Sequence, residues 1–123
     1  MDISSYPAVA LSFVDSINSG DLEGIASLTA RRYKFTDSAG RVYVFDGEEA
    51  VKQSWNEYLS AYPEYKIHVQ QVLTSGKGVA ILGRTSGSHV PPEIERGELV
   101  LWVAEFEKGF VSEWRIYSTR PDS

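Results

Sequence analysis

Three segments in the first half of the chain carry apolar residues at the period of an α-helix. In the first segment they fall at steps of three and four residues: Ala10, Phe13, Val14 and Ile17. We expect Ser19 and Gly20 to end this helix and Asp21 to cap a short second one. The second helix places its apolar residues on one side: Leu22, Ile25 and Leu28.

The third helix has the clearest start signal of the three. Asp46 followed three residues later by Glu49 has the form of a capping box. An apolar series then continues at helical spacing: Val51, Trp55, Tyr58, Leu59 and Tyr62. Pro63 is expected to end the helix, because proline cannot donate the backbone hydrogen bond that a further turn requires.

The remaining segments read as β-strands. Residues 32–37 alternate between two dissimilar faces, and a turn at 38–40 leads into a short extended piece at 42–45. From Tyr65 onward we predict four strands, at 65–74, 79–89, 98–107 and 110–119, joined by connections typical of antiparallel hairpins. Helices grouped early and strands grouped late predict an α+β fold in the order α-α-β-β-α-β-β-β-β.

Both faces of the late strands are apolar, although three helices can cover only one of them. One face carries Val100, Trp102, Ala104, Phe106 and Trp114. The other carries Leu99, Leu101, Val103, Val111 and Tyr117, and we expect Val79 and Ile81 to join it. An uncovered apolar face of this extent is an association site, so we predict a homodimer that packs sheet against sheet through Leu99, Leu101 and Val103. The alternative is a monomer that leaves this face to loops or to water.

The length and the net charge limit the classes of protein to which the chain can belong. The chain has 123 residues, the size of a single domain spanning residues 1–123. Its formal net charge is −5 and its basic residues form no stripe, so we expect no nucleic-acid partner. The N-terminus lacks the regions of a signal peptide, and no apolar stretch approaches membrane-spanning length. We therefore expect a cytoplasmic protein with no membrane partner.

No pattern in the chain is typical of a metal or cofactor site. There is no cysteine, and His68 and His89 are the only histidines. Neither belongs to a metal-ligating pattern, and no glycine-rich phosphate loop stands between a strand and a helix. We expect no metal and no cofactor, and we expect His89 to be a solvent-exposed loop residue.

Three stretches, at residues 13–22, 35–51 and 106–117, carry a likeness to a known group of proteins. In this order and spacing they resemble the nuclear transport factor 2-like superfamily, and in particular its SnoaL-like and ketosteroid isomerase-like members, over essentially the whole chain. The resemblance implies a cone-shaped, cystatin-like fold in which three N-terminal helices pack on a curved, mostly antiparallel mixed sheet. It is less specific for function, because this fold hosts isomerases, cyclases, hydratases and plain binding proteins.

The resemblance also implies which side chains line the cone. Inward-pointing residues are expected on the strands at Tyr33, Phe35, Asp37, Leu82, Arg84, Ser86, Ser88, Trp102, Ala104, Phe106, Trp114 and Ile116. Phe13 and Trp55 would close the pocket from the helices, with Tyr58 at the rim. The candidate ligand-binding residues are Phe13, Tyr33, Phe35, Trp55, Tyr58, Trp102 and Trp114. Such a lining suits a flat or apolar ligand, and the alternative is that these side chains simply fill the cone as core.

Asp37 and Arg84 are the candidate catalytic residues. Asp37 matches the position at which ketosteroid isomerase-like proteins keep an aspartate as general base, and a carboxylate among aromatic rings can move a proton next to a carbonyl. Alternatively, Asp37 caps the turn at residues 38–40. Arg84 would stabilise negative charge on a substrate, or it would pair with Asp37 and make both residues structural.

The partners of such a base are missing. The resemblance places Phe13 at the position of the oxyanion-hole tyrosine, Trp102 at that of the protonated acid and Trp55 at that of the supporting tyrosine. Losing one oxyanion donor lowers the rate by on the order of 10²–10³, so we do not expect authentic steroid isomerase activity.

Two hypotheses follow for the function. The leading one is a SnoaL-like pocket protein that binds a small apolar or aromatic molecule. As an enzyme it would isomerise, cyclise or hydrate its substrate by cofactor-free proton transfer. The alternative is a non-catalytic ligand-binding or protein-interaction module with a filled cone and a structural Asp37.

Overall fold

The structure, a computed structural model, describes residues 5–76 and 78–118. Its helices are α1 (Tyr6–Ser19), α2 (Leu22–Leu28), α3 (Glu48–Ala61) and a short α4 (Pro92–Glu95). Its strands are β1 (Thr29–Thr36), β2 (Val42–Asp46), β3 (Lys66–Ser75), β4 (Gly78–Ser86), β5 (Val100–Glu107) and β6 (Phe110–Ser118). The α+β class and the order of the predicted elements are confirmed. Thr119, the predicted end of the last strand, lies outside the described residues.

The six strands form one mixed sheet in the order β2-β1-β6-β5-β4-β3. Every neighbouring pair is antiparallel except β1 with β6, which run parallel. The parallel pair joins the first strand to the last and brings Phe35 opposite Trp114. Helices α1, α2 and α3 cover one face of the sheet, which we call the inner face; the opposite one is the outer face.

Two helix starts test the predicted caps. Asp21 does cap α2, because its carboxylate accepts a hydrogen bond from the Gly24 backbone N–H at 3.0 Å. The predicted capping box at Asp46 and Glu49 is wrong, since Gly47 is the residue that precedes α3. The Gly47 N–H donates to the Arg31 carbonyl at 2.8 Å and so extends the β1–β2 ladder through Asp46. With φ of 93°, Gly47 then makes the sharp change from strand to helix.

The connection between β4 and β5 also differs from its prediction. The strand predicted to run to His89 ends at Ser86, because Gly87 has a left-handed φ of 70°. The chain then forms α4, a single turn that was not predicted, and β5 begins at Val100 rather than at residue 98. Four residues are too few to show a helical period.

The core confirms part of the predicted inward set and corrects the rest. Trp102 and Trp114 do face the helices, and Ile81 lies opposite Trp102 on the same face. Val79 and Ile81 are therefore buried in the core, and their predicted place on the outer face is wrong. Leu82 and Arg84 alternate with them and lie on the outer face, so their predicted inward orientation is wrong as well. Ser86 ends β4 on that outer side, and Ser88 lies beyond the strand.

Val111 provides a further correction. It was predicted on the outer face, but it is fully buried and lies opposite Phe106. A register shift between Glu105 and Phe106 causes this difference. An extra residue in one strand reverses the side to which all following side chains point.

Candidate functional site

Phe13 of α1 lies at the centre of the aromatic interior. Its ring centroid is 4.9 Å from that of Trp114, 6.2 Å from that of Trp55 and 6.4 Å from that of Tyr33. The Trp55 ring stands nearly perpendicular to it, in the edge-to-face geometry that aromatic pairs favour. The structure thus brings together Phe13, Tyr33, Trp55 and Trp114, four of the predicted ligand-binding residues, as packed neighbours.

The deepest of these side chains leave no room beside them. Phe13, Tyr33, Trp102 and Trp114 are each at most 1% exposed. A cavity that admits water leaves accessible surface on its walls, so no water-sized space borders these four side chains. This part of the cone is filled, as in the alternative hypothesis for these residues.

Within the part of the chain that the structure describes, two polar atoms of this filled interior have no hydrogen-bond partner: the Tyr33 hydroxyl and the Trp102 indole nitrogen. Burial raises the pKa of Tyr33 far above its ordinary value. The neighbouring Trp55 lowers it slightly without reaching hydrogen-bond geometry. Tyr33 therefore stays neutral over the whole physiological pH range.

The aromatic wall becomes accessible toward the β1–β2 hairpin. Phe35 is half-buried, and its ring centroid lies 6.2 Å from that of the exposed Tyr43. On the other side, Phe106 is also half-buried and stacks on Tyr6 at 4.3 Å. Phe35 and Phe106 are thus predicted inward-pointing rings that keep part of their surface accessible.

Asp37 lies at the tip of the β1–β2 hairpin, and its carboxylate is engaged by its own turn. One oxygen accepts hydrogen bonds from the backbone N–H groups of Ala39 and Arg41, each at 3.0 Å. The other oxygen pairs with the Arg41 guanidinium at 3.2 Å. The Asp37 side chain remains 22% exposed. The geometry is that of an aspartate that caps a turn, the second of the two readings that the sequence left open.

Arg84 is separated from Asp37 by its position on the outer face. Its guanidinium donates to the backbone carbonyls of Arg96 and Glu98, at 3.3 and 3.2 Å. Both carbonyls belong to the connection between β4 and β5, so Arg84 fastens this connection to β4. It pairs with neither Asp37 nor the inner face.

Tyr58 has a partner that the sequence did not indicate. Its hydroxyl lies 2.8 Å from Nδ1 of His89 and accepts a hydrogen bond from the His89 backbone N–H at 3.3 Å. His89 is exposed, as expected, but its ring also packs edge-on against Tyr58. Burial raises the pKa of Tyr58, with the His89 hydrogen bond opposing that rise. Tyr58 thus holds the β4–β5 connection against α3.

Sequence reasoning missed two buried carboxylates in the same connection. Glu95 accepts hydrogen bonds from the Thr85 hydroxyl at 2.6 Å and from the Ser88 backbone N–H at 3.3 Å. Glu98 accepts from the Ser118 hydroxyl at 2.6 Å. Burial raises the pKa of the nearby Tyr65, and the charges of Tyr58, Glu95 and Glu98 add to that rise. Glutamate within a Pro- and Gly-containing loop gave no signal of burial.

A shallow groove of about 270 Å³ lies elsewhere, where the C-terminal ends of α1 and α3 meet β3. Its lining includes Ile17, Asn18, Leu59 and Tyr65. The Asn18 amide bridges both backbone groups of Ile67, at 2.7 and 2.9 Å. The groove contains no predicted site residue.

Within residues 5–76 and 78–118, no three histidine, aspartate or glutamate side chains group as metal ligands. None of the helices in these ranges is both long and apolar enough to cross a membrane.

Solved structures with the same fold are numerous. A SnoaL-like protein of unknown function from Burkholderia thailandensis superposes with a TM-score of 0.74 at 21% identity, covering 98% of this chain and 99% of that one. A provisionally named polyketide cyclase from Sinorhizobium meliloti gives 0.72 at 14% identity, with 94% and 99% covered. A provisionally named ketosteroid isomerase from Kribbella flavida gives 0.73 at 17% identity, with 95% and 79% covered. These likenesses establish the cystatin-like fold.

The sequence comparisons agree on the family. No curated protein matches the chain significantly. The SnoaL-like domain family, however, matches residues 10–115, which is most of the chain and includes most of α1, the buried inner-face aromatics and most of the last hairpin. The chain belongs to the SnoaL-like domain family.

Proposed function

We propose that this protein is a non-catalytic SnoaL-like interaction module that forms a homodimer through its outer face. The observation that carries the proposal is the engagement of Asp37: both carboxylate oxygens are held by the turn and by Arg41. A general base must point toward its substrate, whereas this carboxylate is oriented by its own turn and by Arg41 at the hairpin tip. The filled interior around Phe13 supports the same conclusion, because it leaves no space for a ligand at those residues.

The outer face offers a surface suited to self-association. Leu101 lies between Leu82 of β4 and Tyr117 of β6, and Val103 lies between Ala80 and Arg115 in the next row. Leu101 and Val103 are half-buried and Tyr117 is exposed. No helix in the described parts of the chain covers these rows, and a second sheet packed on them would remove their apolar surface from water.

Charged residues border this apolar surface in balanced pairs. Arg115 lies 2.9 Å from Glu105 and 3.8 Å from Glu113, and Lys34 lies 3.8 Å from Glu113. Both signs are present on one patch, so two copies related by a two-fold axis are not forced to oppose like charges.

The mass of the protein in solution tests the proposal. We expect about twice the monomer mass of 13.7 kDa at micromolar concentration, and a monomer for Leu101→Lys, which places a charge at the centre of the apolar rows. Sedimentation velocity measures both, and circular dichroism verifies that the variant is folded. Leu101→Met is the matched control, since it keeps the apolar contact. A monomeric wild-type protein would contradict the proposal.

A second candidate function is supported by the accessible rings near the hairpin. A flat apolar molecule resting on Phe35 would lie beside Asp37, whose side chain is partly exposed. Arg41 occupies one acceptor site of the Asp37 carboxylate at 3.2 Å, so such a ligand would have to reach the remaining site of that oxygen or displace Arg41. Two solved relatives with this fold carry the provisional names of a polyketide cyclase and a ketosteroid isomerase.

A thermal-shift screen of small aromatic ketones tests this second candidate. We expect no stabilisation if the module proposal is correct. A compound that raises the melting temperature, and whose turnover is lost in Asp37→Asn, would favour the enzyme instead. Unchanged turnover in that variant would remove Asp37 as the base.

A further inference from the structure

Strand β2 forms one edge of the sheet, and half of its backbone groups point away from the protein. The Asp37 N–H donates to the Arg41 carbonyl, and the Gly47 N–H donates to the Arg31 carbonyl. In an antiparallel ladder such hydrogen-bonded pairs alternate with unbonded ones. The register therefore directs the groups of Tyr43 and Phe45 toward β1. The N–H and C=O groups of Val42, Val44 and Asp46 face away from β1, and no strand among the described residues pairs with that side of β2.

The side chains on this edge are apolar and accessible. Val42 is 57%, Tyr43 42% and Val44 47% exposed. No proline, bulge or central charge interrupts residues 42–45, although natural edge strands usually carry such a device against pairing.

The opposite edge, β3, does carry these devices. Its ladder with β4 is interrupted by a register shift between Val69 and Gln71. Polar side chains occupy much of its length: His68, Gln70, Gln71 and Thr74. The two edges of one sheet thus differ, and β2 is the one built to accept another strand.

The sequence of β2 fits a second copy of itself. When two β2 strands run antiparallel about Val44, Val42 of each lies opposite Asp46 of the other, and all three outward residues find hydrogen-bond partners. The same register sets Tyr43 of one copy opposite Phe45 of the other on the inner face. Within one copy, Tyr43 already lies beside Phe35, and Phe45 beside Tyr33, with centroids 6.2 and 6.1 Å apart. The register therefore continues both aromatic rows across the two-fold axis, and cross-strand aromatic pairs stabilise sheets.

We propose that β2 is a self-association edge through which two copies join their sheets into one continuous twelve-stranded sheet. This contact is independent of the outer-face dimer proposed above, because β2 and the β4–β5 rows lie in different parts of the sheet. An edge of five residues buries less surface than a typical stable interface. The edge contact is therefore the weaker one and forms at the higher concentration.

The test removes the outer-face contact first, so that failure of one proposal can be told from failure of the other. In Leu101→Lys, we expect the mass to rise from monomer toward dimer between micromolar and millimolar concentration. Adding Val44→Lys places two lysines opposite each other at the two-fold axis, and we expect the dissociation constant to rise about tenfold or more. Val44→Thr is the matched control, since it keeps the shape and the N–H group, and we expect it to associate as its parent does. A mass for the Leu101→Lys parent that stays monomeric up to millimolar concentration would overturn the edge proposal alone.

Amide hydrogen exchange on the wild-type protein gives a second readout that does not depend on a variant's folding. At low concentration, we expect fast exchange at Val42, Val44 and Asp46 and slow exchange at Tyr43 and Phe45. At high concentration, the first three amides should gain protection in this alternating pattern. Exchange there that is independent of concentration would overturn the proposal. So would protection that appears only when an unrelated extended peptide is added.

Discussion

The two faces of the sheet are made by the same strands, yet one face is covered by helices and the other remains partly exposed to solvent. On the inner face, Trp102 and Trp114 are fully covered by helices and by Phe13. On the outer face, the residues that alternate with them, such as Leu101 and Val103, remain half-exposed. Alternation alone therefore does not mark the core in this chain, because apolar residues occupy both sides of β4 and β5. The helices decide which side becomes the interior.

This difference bears directly on function. Family resemblance directs attention to the inner face, but the interior holds packed rings and two unpartnered polar atoms rather than a set of aligned catalytic groups. Among the described residues, accessible apolar side chains remain on the outer face, along the β2 edge and also at Val69 and Leu73 of β3. Substitutions on the inner and outer faces should therefore differ in how much they lower the free energy of unfolding.

The largest effect is expected from truncation on the inner face. Trp102→Ala should lower the free energy of unfolding by about 3–5 kcal/mol, because it leaves a large cavity among residues that cannot close it. Leu101→Ala, one position away on the outer face, should cost about 1 kcal/mol or less when measured in the monomer. Urea denaturation of both variants measures the contrast. Equal losses would mean that the outer face is as well packed as the inner one.

A smaller loss of stability is expected from a change at Arg84, whose side chain lies on the outer face and binds the β4–β5 connection. Arg84→Gln should lower the free energy of unfolding by about 1–3 kcal/mol, because it removes two hydrogen bonds from a charged donor that are long and partly exposed. The loss should appear as faster amide exchange at residues 96–98. Arg31→Gln, which breaks only an exposed 3.6 Å ion pair with Asp46, is the control and should change little. If Arg84→Gln lost the binding of an aromatic ketone found in the thermal-shift screen, without faster exchange at residues 96–98, Arg84 would instead belong to a ligand-binding site.

The smallest effect at neutral pH, and the most informative, is expected from Tyr33→Phe. The Tyr33 hydroxyl is buried without a partner, so its removal should leave stability at pH 7 within about 1 kcal/mol of wild type. Burial raises the pKa of Tyr33 in the folded protein. The contribution of neutral Tyr33 to the free energy of unfolding is therefore complete below the unfolded pKa of about 10, and it declines as the pH rises above that value. Tyr33→Phe should therefore unfold at a higher pH than wild type. Alkaline titration followed by circular dichroism checks this, and an unchanged midpoint would contradict the burial of Tyr33.

Much of the fold could be predicted from the sequence, and single residues show why. Helical periodicity located α1, and Asp21 marked the start of α2 because its cap is a local hydrogen bond. The orientation of β4 was not accessible, since Ala80 and Leu82 are as apolar as Val79 and Ile81 and give no alternation to follow. Arg84 was placed wrongly for that reason. The burial of Glu95 depends on a contact with Thr85 across the loop, which no local pattern encodes.

The site was less accessible than the fold. The sequence leaves two roles open for Asp37, base or turn cap, and the observation that favours the cap, the direction of the Arg41 side chain and of the turn amides, exists only in the folded chain. Both roles require an aspartate at the same position, so residue identity could not separate them.

The parallel pairing of β1 with β6 has a consequence for how the protein is made. Phe35 leaves the ribosome long before its neighbour Trp114, because the two residues are far apart in the chain. The first hairpin must therefore wait, with one side of β1 unpaired, until β6 has been translated. Pairings between such distant segments slow folding, and an unpaired strand is exposed to aggregation meanwhile. Production of this protein should accordingly benefit from lower temperature and slower expression.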